Sequence, residues 1–280
     1  MGTIALLALL ALPADAPVEP PLTPAPLSAP APAPPPLAAG VTAFERSQFP
    51  RIPALQFFKG MGLTAARPFN PQPEDLFVIA PAMLATVITY NTDIETHRAI
   101  KGLPDPQLGD RRLSYYASEL GEGWVDLAVF LGLGLLGGRD GQRACLAGVQ
   151  ALVATALFSR VGKAIVRLER PSFDPDAHHI GSRFPQADAM PSGHTMSAFA
   201  TAAVLASEYR TLAPLWYALA AWVGVARVQQ STHWLSDVVV GAALGTLFGW
   251  EAYRVTRLME LEVQPWANTT GGGLTVARSF

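Results

Sequence analysis

Apolar runs of helical length alternate with short polar clusters along this chain. Residues 76–90 are apolar, with Pro81 near their start, and predict a helix. Residues 91–112 are polar and carry turn signals at Gly102, Pro104 and Pro106. The run 124–137 comes next, then a tight turn at Gly138-Arg139-Asp140-Gly141, then the run 144–158, which continues amphipathically through Lys163 to Arg170. Pro171 stops that helix, because proline disfavours helical geometry in the residue before it. Residues 173–190 form a polar loop. Helices follow at 194–209, 215–227 and 234 to about 258, with a turn at 210–214 between the first two. Strand patterns are scarce and no repeat is visible, so the predicted class is all-α, an antiparallel helical bundle.

The turns also carry spatial information. Short connections make antiparallel neighbours of successive helices. The helix that ends near Arg170 delivers its basic residues to one end of the bundle, and the helix that begins at His194 starts there. The next helix returns Arg227 to that end, and the last begins there with His233. Three polar clusters are thereby brought to one face, although 74 residues separate Lys163 from Asp237.

The first cluster is Lys163-Ala-Ile-Val-Arg-Leu-Glu-Arg170-Pro171. Lys163 and Arg170 are seven residues apart, close to two helical turns, so on a continuous helix they share a face, with Arg167 on nearly the same stripe. Such a stripe suits a multiply charged oxyanion, with Arg binding as a fork and Lys as a point charge; a solvated basic face has the same pattern. The second cluster, Pro191-Ser192-Gly193-His194, sits at a helix start. Backbone N–H groups there lack intrahelical partners, Gly193 permits close approach of an anion, and the Ser192 hydroxyl can cap the helix or donate to the anion. In the third cluster, Arg227 precedes His233, which stands four residues before Asp237. On one helix Asp237 can accept from one imidazole nitrogen and raise the basicity of the other.

Jointly, Lys-x6-Arg-Pro, Pro-Ser-Gly-His and Arg-x5-His-x3-Asp resemble the signature of the type 2 phosphatidic acid phosphatase family. Its superfamily also holds bacterial non-specific acid phosphatases and vanadium haloperoxidases. The resemblance covers about residues 124–254. Where the family usually has Ser before the third-cluster Arg, this chain has Ala226, which removes a hydroxyl contact but no charged group. The resemblance implies a metal-independent phosphatase that hydrolyses a phosphomonoester or pyrophosphate, on a lipid such as a phosphatidate or an isoprenyl diphosphate. In it His233 is the nucleophile, Asp237 orients it, and His194 protonates the leaving oxygen and then activates water. Lys163, Arg170, Arg227, Ser192 and the Gly193 N–H stabilise the equatorial oxygens. These cations take the place of a metal, so neither metal nor cofactor is expected. Vanadate enters only in the haloperoxidase alternative, and a soluble, exported acid phosphatase of broad specificity is the nearer competitor. In the loop between the first two clusters, Asp174, Asp176, His178 and His179 read as lid or substrate-selecting residues, or as metal ligands.

Composition sharpens the picture at the edges. Half the residues are hydrophobic and 15% are charged, against about 25% charged in soluble domains; this favours a membrane protein. The apolar runs themselves, about 13 to 16 residues long, fall short of the roughly 20 that span a bilayer. The net charge of -2 gives no bulk attraction to nucleic acid. Cys145, the only cysteine, rules out an intrachain disulfide and reads as a small hydrophobe. Residues 1–16 hold a nine-residue apolar run that fits an export signal or anchor. Residues 17–40 continue a Pro/Ala-rich stretch in which positions 13–36 carry 11 of the 25 prolines, an extended tether. Residues 41–122 are expected to pack on a catalytic bundle at 123–260, residues 261–280 to form an irregular tail, and His97 to be a surface or structural histidine. Arg139, Arg143, Arg210, Arg254 and Arg257 lie at the end away from the clusters. If the helices span an inner membrane, the positive-inside rule then places the active face in the periplasm.

Overall fold

The structure is a computed structural model that describes residues 54–183, 187–259, 261–268 and 271–278. The expected export segment and the Pro/Ala-rich tether lie outside the described residues. Eight α-helices are seen among those residues: α1 (Ala54–Ala66), α2 (Leu76–Lys101), α3 (Leu113–Glu119), α4 (Gly123–Leu136), α5 (Gly138–Val166), α6 (Gly193–Glu208), α7 (Ala213–Gln229) and α8 (Leu235–Met259). A two-residue hairpin, β1 (Gln107–Leu108) with β2 (Arg111–Arg112), precedes α3. The class is all-α, as the apolar periodicity predicts.

Several helices outrun the apolar runs that announce them. The second continues eleven residues past Tyr90, to Lys101, because Asp93 and His97, polar in sequence, are buried against the rest of the bundle. The fifth begins at Gly138 itself: the turn lies at Gly137 and Gly138, the latter with φ of 60°, and the helix then runs for 29 residues. Helices α2, α5, α7 and α8, the first extended by its preceding turn and the third by a short 3-10 turn, are each long and apolar enough to cross a membrane. The short runs read from the sequence therefore understate the spans. Large apolar side chains also face outward along them, including Leu84, Val87 and Ile88 on α2 and Leu157, Val161 and Ile165 on α5.

Helix α6 is the centre, packed against α5, α7 and α8. Its contact with α8 depends on glycine. Gly241, Gly245 and Gly249 recur every four residues on α8, and a Cβ on each would lie 2.8, 2.3 and 2.5 Å from the carbonyl oxygens of Ser192, Met196 and Ala200 respectively. The two backbones touch with no side chain between them, the arrangement by which small residues let helices approach closely. Aromatic and aliphatic side chains fill the remaining space, with Phe130, Val204 and Leu205 in one cluster and Met196 and Phe248 in another. The turn after α4 and the turn after α6 lie at the same end, where Arg143 of α5 donates to Glu208 of α6 at 2.7 Å. The three clusters are at the other.

Two expectations need correction. The segment after α8 is not irregular: β3 (Leu261–Asn268) pairs antiparallel with β4 (Gly271–Arg278). Helix α5 does not reach Arg170. It ends at Val166, and Arg167 adopts a left-handed conformation with φ of 50°, so Lys163 and Arg170 share no helical face. The helix ends five residues before Pro171 because the following segment is held elsewhere. Ala189 N–H donates to Leu168 O, and Arg167 Nε donates to Ser182 O. Arg167 thus anchors the loop and leaves the basic stripe.

Candidate active site

Three connections, α3–α4, α5–α6 and α7–α8, meet at the α6 N-terminal end of the bundle. The α3–α4 turn brings Glu122, the end of α5 brings Lys163, and the loop after it brings Arg170 and Asp188. The start of α6 brings Ser192, Gly193 and His194; the turn between α7 and α8 brings Arg227, His233 and Asp237. The convergence expected from helix direction is found. His233 lies within electrostatic reach of Arg227, Arg170, Lys163 and His194, and His194 within reach of Arg227 and Lys163.

His233 stands just before α8 rather than on it. The chain leaves α7 through a tight turn in which Ser231 has φ of 55°, and Thr232 returns both its N–H and its hydroxyl to Arg227 O. This fixes His233 relative to Arg227. Asp237, in the first turn of α8, accepts from Trp234 N–H at 2.8 Å, and the same oxygen lies 3.5 Å from His233 Nδ1. Both side chains are buried. Burial first, then the charges of Arg227, Arg170 and Lys163, hold the His233 imidazole well below its ordinary pKa. It is therefore neutral in mildly acidic water, and with Nδ1 turned toward Asp237 its Nε2 carries the free lone pair.

His194 Nε2 pairs with Glu122 Oε1 at 2.7 Å. Gly121 makes this possible: a Cβ there would sit 2.7 Å from His194 O, so only glycine lets the α3–α4 turn rest on the first turn of α6. Burial, then Arg227, draw the His194 pKa down, while Glu122 draws it up. Ser192 is buried at the N-cap position of α6, where its hydroxyl makes no cap bond to the helix backbone and lies 2.9 Å from that of Thr195. Gly193 backs onto Ser159, whose Oγ a Cβ would approach to 3.0 Å. The glycine thus also serves the contact between α5 and α6.

The cations are held by neighbours that sequence reading passes over. Arg227 Nη1 donates to Ser118 Oγ at 2.6 Å and to Gln230 Oε1 at 3.1 Å, and Gln230 in turn donates to Ser114 O. Arg170 donates to both oxygens of Asp188, at 2.7 and 3.0 Å, and Lys163 Nζ lies 3.7 Å from the same carboxylate. Behind the third cluster, Asp93 of α2 accepts from Ser236 N–H at 2.9 Å and from the Ser236 hydroxyl at 2.5 Å, while His97 Nε2 meets Ser231 Oγ at 3.1 Å. His97 is thus structural, not superficial. Of these groups, Asp93 had a legible signal: a carboxylate inside a helix that faces lipid or core must find a partner.

The loop residues entertained as metal ligands are parted by the structure. Asp174 pairs with His179 at 3.0 Å, Asp176 meets Arg98, and His178 turns inward between Tyr90 and Trp234, with Asp93 3.4 Å away. Among the described residues, no three His, Cys, Asp or Glu side chains gather as metal ligands would.

From the α6 end, a cavity of about 550 Å³ opens between α4 and α5. Its head is lined by Glu122, Arg160, Lys163, Gly193 and His194, and its wall by Leu127, Val149, Leu152, Val153 and Ala156, with Thr155, Ser159 and Ser197 as the polar groups between.

A helical bundle with four helices of membrane-crossing length carries three cations and two histidines at one end. The model of the PAP2 superfamily matches residues 144–259. The decaprenylphosphoryl-5-phosphoribose phosphatase of Mycobacterium tuberculosis is 33% identical over 127 residues, covering 45% of this chain and 68% of that protein. The chain belongs to the PAP2 superfamily. The lipid A 1-phosphatase of Porphyromonas gingivalis is 39% identical over 77 residues, 26% of this chain, and the match spans only 17% of that relative's length. Among solved structures, LpxE of Aquifex aeolicus superposes with a TM-score of 0.48 at 22% identity, over 58% of this chain and 94% of that one. A PAP2 type phosphatidylglycerolphosphate phosphatase from Bacillus subtilis gives 0.48 at 20% identity, over 65% and 94%.

Proposed function

We propose that this chain is an integral membrane phosphatase that removes phosphate from a lipid phosphomonoester or diphosphate through a phosphohistidine on His233. The observation that carries the lipid assignment is the cavity between α4 and α5. It joins the polar head at His194 and Lys163 to an apolar wall that reaches Val149. Those fourteen residues of α5 rise about 21 Å at 1.5 Å each. That exceeds one leaflet of a hydrocarbon core about 30 Å thick, so an acyl or prenyl chain fits beside the helix while its phosphate meets the cations. The relatives whose names include a lipid substrate point the same way.

In this reading Lys163, Arg170, Arg227, the Ser192 hydroxyl and the Gly193 N–H hold the equatorial phosphoryl oxygens. The lone pair of His233 Nε2 forms the N–P bond as the P–O bond to the lipid breaks, and His194 gives its proton to the departing lipid oxygen. Asp237 balances the positive charge left on the phosphorylated imidazole. The 3.5 Å separation from Nδ1 is longer than a hydrogen bond and closes as that charge develops. Water then enters and His194 takes a proton from it. The oxygen attacks phosphorus, the N–P bond breaks, and phosphate leaves with both histidines restored. The site end of the bundle faces a periplasm-like space in this assignment, since the opposite end carries Arg139, Arg143, Arg210, Arg254 and Arg257.

The test is phosphate release from long-chain and water-soluble phosphoesters by detergent-purified protein with EDTA present. His233→Ala serves as the blank, and acid-stable and acid-labile phosphoprotein are separated after a quench. The wild type is expected to hydrolyse the lipid in preference and to carry acid-labile phosphate on His233. Equal rates on soluble esters would remove the lipid assignment, and activity surviving in His233→Ala would remove the nucleophile.

A further inference from the structure

The oxyanion end of the bundle already contains an anion. Arg170 grips the Asp188 carboxylate through Nε and Nη2, one bond to each oxygen, and Lys163 stands 3.7 Å from Oδ2. A parallel two-bond fork is the contact by which guanidinium groups hold phosphate as well as carboxylate. The two other carboxylates near the site are engaged elsewhere, Glu122 with His194 and Asp237 with Trp234 N–H. Asp188 alone of the three is set on the cations of the first cluster. Its side chain is 40% exposed, so it can exchange Arg170 for water without stranding a buried charge.

We propose that Asp188 is an internal counter-anion that competes with phosphate for Arg170 and Lys163, and so weakens the hold on substrate and on released inorganic phosphate. The inference rests on the reading of Lys163 and Arg170 as phosphate ligands. The physical need for such a residue is plain. Three cations gathered without an anion repel one another when the site is empty, and bind a small mono- or dianionic product tightly once it forms. A tethered carboxylate relieves the first problem and speeds the second step by rebinding as phosphate leaves. A ligand that binds only the form with Asp188 displaced has its apparent dissociation constant raised by the reciprocal of that form's population. If Asp188 is off Arg170 about one-tenth of the time, the weakening is about tenfold.

A carboxylate that merely positions Arg170 predicts the reverse. Asp188→Asn keeps an acceptor for Arg170 without the charge, whereas Asp188→Ala removes both. The experiment measures binding of inorganic phosphate by titration calorimetry, and its inhibition constant in hydrolysis, on monodisperse wild type, both variants and Arg170→Ala. Competition predicts that both Asp188 variants bind phosphate about tenfold more tightly than wild type, with Asp188→Ala at least equal to Asp188→Asn. Unchanged or weakened binding in Asp188→Ala would overturn the proposal. If Arg170→Ala binds phosphate as well as wild type does, the assignment of Arg170 fails and the competition built on it falls too; that arm tells the two failures apart.

Discussion

Substituting Gly245 by alanine tests whether helix packing sets the geometry of the two histidines. The added Cβ would lie 2.3 Å from Met196 O, where ordinary contact begins at 3.4 Å, and 3.1 Å from Ala200 N. All of these atoms are backbone, so no rotamer change relieves the clash, and α6 and α8 must part by about 1 Å. Helix α6 starts with the turn that carries Ser192 and His194, and α8 starts with Asp237, eight residues or about 12 Å from Gly245. The displacement is therefore passed to the reacting groups. Misplacement of that size costs about 10²-fold in rate, and overpacking a close contact costs about 1–3 kcal/mol of stability. Gly132→Ala on α4 is the control, because nothing lies within 4 Å of its added Cβ and alanine is favoured over glycine within a helix by up to about 1 kcal/mol. The assay is kcat/KM on a lipid phosphate together with thermal unfolding in detergent. Wild-type values of both in Gly245→Ala would refute the argument that this contact fixes the site.

The pH profile of kcat/KM is expected to be a bell on the acid side of the free imidazole value. His233 must be neutral, and burial with the neighbouring cations holds its pKa well below the ordinary imidazole value; His194 must be protonated, and burial with Arg227 causes that proton to be lost below the usual 6.5. Glu122→Gln removes the charge that favours protonated His194, so the falling limb should move to lower pH while the rising limb stays. Asp93→Ala strands Ser236 N–H inside the bundle, at about 1–3 kcal/mol. A lower unfolding midpoint should result, with Asp93→Asn, which keeps an acceptor, less affected. Ala156→Trp places an indole in the cavity between α4 and α5, and should raise KM for long-chain lipid phosphates by an order of magnitude or more while sparing a short soluble ester.

The fold was legible wherever one physical signal decided it. Helix direction follows from run and turn lengths, which is why the ends carrying Lys163, His194, Arg227 and His233 could be brought together without coordinates. Helix length was less so. Asp93 and His97 interrupt the hydropathy of α2 yet belong to its buried face. A hydropathy count charges them as solvent-seeking, because it has no knowledge of Ser236 and Ser231 waiting across the bundle. The glycines of α8 were visible as residues at a four-residue spacing. Their role needs a second helix at contact distance, and a single chain of letters does not say which one.

The same limit divides the site. The residues proposed to touch phosphate have a characteristic order in the chain, since each must sit at a helix end or tight turn that faces the same point. Glu122, Ser118, Gln230 and Asp188 obey no such order. Each is placed by the group it serves: Glu122 by His194, Ser118 and Gln230 by Arg227, Asp188 by Arg170. A carboxylate or hydroxyl can reach those groups from any neighbouring element, so sequence spacing constrains it weakly. The break in α5 after Val166 sharpens the point. The expected stripe of Lys163, Arg167 and Arg170 assumed one continuous helix. Unwinding sends Arg167 to the loop and frees Arg170 to turn toward Lys163 from a different backbone direction. Both cations then reach the Asp188 carboxylate, an approach from two sides that a regular helix with residues seven apart, about 10 Å along the axis, does not provide.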